Sequence, residues 1–151
     1  MSSVSVRRAV LPDLEAVAVL LDDYRQFYGR APDLAAARAF LQERLSHEES
    51  AVFLADDGPI AVGFTQLYPC FSSVSLARTF ILNDLFVVPS HRRSGVGSKL
   101  LHAAVKYAGA LGAVRVTLNT DVRNRAAQAT YEARGWKRDQ DFYAYHIAPP
   151  D

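Results

Sequence analysis

Apolar positions along this chain switch between two periods, and the switches mark its elements. Residues 4–10 are rich in β-branched side chains and predict a short first strand. From Pro12 the spacing turns helical. Leu14, Val17, Ala18, Leu20, Leu21, Tyr24 and Tyr28 recur on one side, Asp13 and Glu15 sit in the first turn, and Gly29 is a stop. A second helix follows Ala31-Pro32-Asp33, with Leu34, Ala37, Phe40, Leu41 and Leu45 along one face. Residues 51–55 and 60–68 flank the turn Asp56-Asp57-Gly58-Pro59 and predict a hairpin. Residues 69–77 read as a Ser-rich connection. Residues 78–88 read as one long strand, too rich in branched and aromatic side chains for a surface helix. A helix then runs to Gly109 or Gly112, a strand covers 113–118, and a helix begins at Asn124 and ends near Arg134, stopped by Gly135. Two last strands, 136–138 and 142–146, are expected around Asp139-Gln140-Asp141. The order β-α-α-β-β-β-α-β-α-β-β predicts an α/β or α+β fold on a mixed central sheet.

Composition narrows the class. At 151 residues, 50% hydrophobic and 22% charged, the chain has apolar content for one real core, and without an internal repeat or linker residues 1–151 read as a single domain. A formal net charge of +1 supplies no global field toward nucleic acid or a membrane surface. Of 17 basic residues only Lys99, Lys106 and Lys137 are lysines, which favours planar guanidinium contacts over diffuse charge. Cys70 is alone, so no internal disulfide forms and a reducing compartment is expected. The N-terminal stretch from Met1 to Arg8 lacks the apolar core of a signal peptide, and no apolar run has the length to span a bilayer. The expectation is a soluble cytoplasmic protein. His47, His91, His102 and His146 are scattered and no metal-ligand spacing occurs, so no metal is expected.

Chemistry enters at Arg92-Arg93-Ser94-Gly95-Val96-Gly97-Ser98-Lys99, which lies between the long strand and the following helix. Two glycines let the backbone turn tightly and approach a ligand closely. The first amides of the helix have no internal partner, and the dipole adds partial positive charge there. With Arg92, Arg93 and Lys99 nearby, this is a phosphate cradle. A Walker loop fails because Ser98 separates Gly97 from Lys99, and a dinucleotide fingerprint fails because Leu100 stands where a third Gly is needed. Further on, Asn124-x-x-Ala127-x-x-x-Tyr131-x-x-x-Gly135-Trp136 offers an N-cap, a narrow small-residue helix and a C-terminal Gly. Taken alone, that segment is a small helix packed by Tyr131.

Together the two segments, Arg-x-x-Gly-x-Gly before a helix and Asn-x-x-Ala-x-x-x-Tyr-x-x-x-Gly-Trp after the next strand, resemble the signatures of the GCN5-related N-acetyltransferase (GNAT) superfamily. The resemblance covers residues 78–147, and Leu82-Asn83-Asp84-Leu85-Phe86-Val87 is similar to its small-molecule amine and Hpa2-like branch. It implies the acyl-CoA N-acyltransferase fold: a mostly antiparallel sheet of six to seven strands with a V-shaped splay, flanked by about four helices. It also implies acetyl-CoA as co-substrate and direct transfer to an amine. Phe86, Val87 and Val88 should face the pantetheine arm, with Pro89 helping the sheet part. Arg92, Arg93, Ser94, Gly95, Val96, Gly97, Ser98 and Lys99 should hold the pyrophosphate. Asn119, Asn124 and Ala127 belong on the cofactor side, and Tyr131 near the thioester sulfur, where its hydroxyl would protonate the departing thiolate. A homodimer through the last strands rests on the resemblance alone.

The reaction sets its own demands. An alkyl ammonium, with a pKa near about 10, must lose a proton before attack, and the thioester oxygen needs a donor such as the N–H of Val87 or Val88. Diamine-type enzymes carry Glu where Asn83 stands, and Asn is no base, which leaves Asp84 as the nearest carboxylate. Strand alternation puts Asp84 on the face opposite Asn83, so a structural role competes with catalysis. Asn83 itself would hold a water or orient the amine. The expected function is N-acetyltransfer to a primary amine of a small molecule. Its alternatives are a protein lysine or N-terminal acetyltransferase and a non-catalytic CoA-binding sensor.

Overall fold

Five strands form one sheet, in the order β1-β2-β3-β4-β5, in a computed structural model that describes residues 3–151. Met1 and Ser2, which begin the N-terminal stretch considered above, lie outside the described residues. β1 (Val4–Arg8), β2 (Ala51–Asp57), β3 (Ile60–Ser72) and β4 (Ala77–Val87) pair antiparallel in turn. β5 (Arg115–Thr117) joins β4 in parallel. Residues up to Leu118, which hold the whole sheet, form one compact unit, and Asn119–Asp151 form a second.

In the first unit both faces of the sheet are covered. α1 (Leu14–Phe27) and α2 (Leu34–Ser46) lay Val17, Ala18, Leu21, Ala37 and Leu41 against Val52, Leu54, Phe64 and Phe86. These helical residues recur at the spacing that makes one stripe, and the strand residues fall on one side of the pleat. α3 (Val96–Ala110) covers the other face with buried Leu100, Leu101, Ala104 and Ala108. Its Tyr107 meets Phe53 and Phe80 edge-on, with ring centroids 5.5 and 5.8 Å away.

Pairing along β4 has two irregularities that matter. Gln66 pairs with Asp84 but Leu67 pairs with Leu82, so Asn83 is an extra residue in β4. Such a bulge resets the alternation of side chains. Phe80 and Leu82 therefore share the α3 face, whereas Asp84, opposite Gln66, and Phe86, opposite Phe64, share the face toward α1 and α2. The second irregularity is the V-shaped parting itself. β5 pairs with β4 only at Thr79, Phe80 and Ile81, and from Leu82 to Val87 β3 is the only strand partner of β4 among the described residues.

The sheet is smaller than the six to seven strands expected. Residues 136–138 and 142–146 are irregular backbone. The turn between them does form, since Asp139 Oδ1 accepts the N–H groups of Asp141 and Phe142 at 2.9 and 3.1 Å. A strand needs a ladder partner, however, and no strand occurs among the described residues of Asn119–Asp151. The Ser-rich connection is also shorter than residues 69–77, because β3 continues through Pro69 to Ser72. Pro69 is tolerated there because β2 begins opposite Leu67, leaving that end of β3 an edge.

The second unit carries α4 (Arg125–Ala133), with its ends set by sequence. Asn124 accepts the Ala127 N–H at 3.1 Å. At the other end Gly135, with φ 91°, donates to Glu132 O at 3.1 Å and Trp136 N–H donates to Tyr131 O at 3.0 Å. This is a Schellman closure, completed by contact between the Tyr131 and Trp136 rings at 6.1 Å. No helix among the described residues is long and apolar enough to cross a membrane.

Gly63 pairs with Val87 at the open end of β4. A Cβ there would lie 2.9 Å from Phe86 O and 3.3 Å from Leu100 Cδ1. Gly63→Ala is expected to force β3 and β4 apart and cost about 1–3 kcal/mol, measured by denaturant unfolding.

Candidate functional site

β4 ends at Val87, and a single turn, Pro89–His91, leads into the basic loop. His91 anchors that turn. Its Nε2 lies 2.8 Å from Asp57 Oδ2 and its Nδ1 2.8 Å from Ser90 Oγ. His91, with Ser3 assisting, holds the Asp57 carboxyl below the ordinary range. The loop then passes through two left-handed residues, Arg93 (φ 61°) and Gly95 (φ 86°), and α3 starts at Val96. Lys99 N–H makes the bond to Gly95 O at 3.1 Å, so the amides of Val96, Gly97 and Ser98 precede the first intrahelical bond. A Cβ built on Gly97 meets nothing within 4 Å.

Several polar groups of the loop are engaged within the chain. Lys99 Nζ donates to Val4 O at 2.9 Å, which ties its charge to β1. Ser94 Oγ donates to His91 O at 2.6 Å. Arg92 Nε donates to Val87 O at 2.8 Å, and its guanidinium lies over the rings of Phe27 (5.3 Å) and Phe86 (5.5 Å). Val88 N–H is spent on Val62 O at 2.9 Å. Alternation then directs the N–H and C=O of Val87 away from β3, toward the edge that β5 leaves open. A free strand edge beside unsatisfied helix amides suits a ligand with amides along its length and phosphate at one end.

The carboxylate sits at the other end of this edge. Asp84 is 6% exposed and accepts Gln66 Nε2 on Oδ2 at 2.7 Å and Asn83 Nδ2 on Oδ1 at 3.1 Å. Gln66 Oε1 in turn accepts Ser50 Oγ at 2.8 Å. Thr65 Oγ1 donates to Asp84 O at 2.8 Å and fixes the backbone. Burial lifts the Asp84 carboxyl above the ordinary carboxylate range, although the bonds from Gln66 and Asn83 pull it back. Burial also pushes the Tyr68 phenol up to about 12; the Asp84 charge adds to this and Arg44 opposes it. Tyr24 of α1 reaches over the bulge, with its hydroxyl 3.5 Å from Asn83 O. A buried, acceptor-only carboxylate with a raised proton affinity is what removal of a proton from an ammonium requires.

The bulge therefore brings Asn83 and Asp84 into contact, where regular alternation would hold them on opposite faces. Phe86, Val87, Val88 and residues 92–99 lie in the same unit. Asn119, Asn124, Ala127 and Tyr131 lie in the second unit, where the Asn124 carbonyl oxygen caps α4. Gln66 and Ser50 were not legible as site residues from hydropathy alone. The available signal was an amide inside the apolar run Val62-Gly63-Phe64-Thr65-Gln66-Leu67. Among the described residues no group of three or more His, Cys, Asp or Glu side chains gathers as metal ligands would.

Known proteins share this sequence and fold. Residues 15–136 match the acetyltransferase (GNAT) family. The chain is 47% identical to the uncharacterized N-acetyltransferase YhfO of Bacillus subtilis (strain 168), over 97% of this chain and 98% of that one. It is similar to the crystal structure of a probable acetyltransferase at 40% identity and TM-score 0.90, covering 97% and 99% of the two chains. At 23% identity, the fold is shared with the aminoglycoside N-acetyltransferase AAC(6')-Iy solved in complex with CoA, with TM-score 0.81 and coverage of 97% and 96%.

The buried carboxylate yields a stability test. Because Asp84 binds its proton more tightly folded than unfolded, folded stability falls as pH rises from its unfolded to its folded titration range and stays reduced above it. Asp84→Asn removes that loss. The variant is expected to match the parent in acid and to melt at higher temperature near pH 7, in a thermal-unfolding series against pH.

Proposed function

The chain belongs to the acetyltransferase (GNAT) family, and from that premise we propose that it transfers the acetyl group of acetyl-CoA directly to a primary amine of a small molecule, such as a polyamine or an amino acid. The observation that carries this reading is the stretch of β4 from Leu82 to Val87, paired with a strand on one side only among the described residues, with a buried carboxylate at one end and the first amides of α3 at the other. The thiol carrier supplies an activated acyl group; the chain supplies position and charge. The amides of Val96, Gly97 and Ser98, with Arg93 beside them, are assigned to the pyrophosphate. The edge of Phe86, Val87 and Val88 is assigned to the pantetheine amides. Val87 N–H is the donor for the thioester oxygen, since Val88 N–H is already engaged.

Asp84 is assigned as the base that takes the ammonium proton, and Asn83 as the group that orients the amine. Tyr131 is assigned as the acid for the leaving thiolate, and Asn119, Asn124 and Ala127 to the carrier, each on its place in the family motif. A small acceptor is favoured because a net charge of +1 gives no field to gather a basic peptide. The half-buried Tyr24 and Tyr68 beside the bulge also offer a narrow, partly apolar approach.

Thiol release from acetyl-CoA, measured across polyamines, amino acids and a lysine peptide, tests the assignment. Turnover is expected with a small amine, and Asp84→Asn is expected to lower kcat by about 10²–10⁴-fold. Turnover with the lysine peptide alone would move the acceptor to proteins. A Cβ at Gly97 meets nothing within 4 Å, so Gly97→Val is expected to fold, with its methyls beside the amides assigned to the phosphates. Its KM for acetyl-CoA is expected to rise by about tenfold or more, and an unchanged KM would place the phosphates elsewhere.

A further inference from the structure

Asp84 is surrounded by donors of unequal strength, and the inequality decides which of its oxygens can receive a proton. On Oδ2 the bond from Gln66 is 2.7 Å long and fully buried, since Gln66 is 0% exposed. On Oδ1 the bond from Asn83 is 3.1 Å long, and Asn83 lies exposed on the bulge. The two amides also differ in freedom. Asn83 can turn over and present its carbonyl oxygen to a newly formed O–H. Gln66 does so at a higher cost, because its Oε1 already accepts the hydroxyl of buried Ser50 at 2.8 Å, and reversal would break that bond and turn the hydroxyl from donor to acceptor, leaving its hydrogen to be placed anew in a buried site.

We infer that Gln66 and Ser50 are positioning residues for Asp84: their chain of donors locks Oδ2 and leaves Oδ1, on the Asn83 side, as the oxygen that takes the proton. The inference rests on the assignment of Asp84 as base. In the step itself an N–H bond of the ammonium breaks and an O–H bond forms at Oδ1. The electron pair stays on nitrogen for the attack. The remaining groups near this carboxylate are the Tyr68 phenol on β3, the Tyr24 hydroxyl on α1 at the Asn83 carbonyl, and the Arg44 guanidinium on α2, felt at Tyr68 and itself bonded to Glu49 at 2.9 Å. Among the described residues the side-chain donors to the Asp84 oxygens are the neutral amides of Gln66 and Asn83.

The test follows the Asp84 carboxyl itself, by ¹³C NMR titration of protein labelled at aspartate carboxyls, with its signal assigned through its loss in Asp84→Asn. Gln66→Met keeps length and volume but removes the donor. Its Asp84 midpoint is expected to move upward by about one pH unit, the effect of one lost hydrogen bond to a charged group. Ser50→Ala, which frees the Gln66 amide to turn over, is expected to move it in the same direction by less. Because Ser50 acts only through Gln66, the double variant should show no more than the Gln66→Met displacement. Midpoints that stay in place, or two displacements that add, overturn the inference. If Gln66→Met fails to fold, Ser50→Ala decides alone, and an unmoved midpoint there overturns it. Failure of the parent reading is separately visible: full turnover by Asp84→Asn removes the base while leaving the titrations as they are.

Discussion

A single extra residue in β4 separates two packing problems that a regular strand would meet on one face. Leu82 must join the apolar layer beneath α3, while Asp84 needs polar partners and must stay out of that layer. In regular alternation residues 82 and 84 point the same way. The bulge at Asn83 turns Asp84 to the opposite face, where Gln66 stands directly across. A buried carboxylate without such partners would protonate or unfold its surroundings. The carboxylate, its donors and the contact with Asn83 thus all depend on that one register slip.

The same strand couples the bulge to the loop. From Leu82 onward β3 is the one strand partner of β4 among the described residues, so the second row of backbone groups meets side chains in place of a strand: Arg92 Nε at Val87 O and the Tyr24 hydroxyl at Asn83 O. Sheet edges normally invite pairing with other chains. Here the edge is short and ends at Pro89, which cannot donate, and the chain leaves the sheet for the left-handed turns at Arg93 and Gly95. Gly63 allows β3 to lie close behind this end, within reach of Leu100 on α3. The edge is therefore closely backed by β3 and α3.

Much of this was legible in the sequence because local physics decides it. Helical spacing marked α1 and α2, the Gly-rich loop marked the entry to α3, and Asn124 and Gly135 marked the ends of α4. The bulge left no local signal, since Leu82-Asn83-Asp84-Leu85 reads equally well as a regular strand; only the partner register shows it. The hydrogen-bonded chain from Ser50, just before β2, through Gln66 on β3 to Asp84 on β4 was invisible for the same reason. Lys99 was grouped with the loop by sequence proximity, yet its long side chain reaches Val4 on β1. The last two strands were inferred from aromatic and branched residues, which mark a willingness to pair but not the presence of a partner.

The bond from Arg92 Nε to Val87 O has a consequence for any molecule that approaches the edge. That carbonyl is already satisfied from within the chain, so an arriving donor exchanges one hydrogen bond for another and gains only their difference. The displaced guanidinium would also leave the rings of Phe27 and Phe86 between which it rests. Phe27 is the last residue of α1, the helix that carries Tyr24 to the bulge. The Arg92 side chain thus links the end of β4 to the helix whose Tyr24 reaches the bulge.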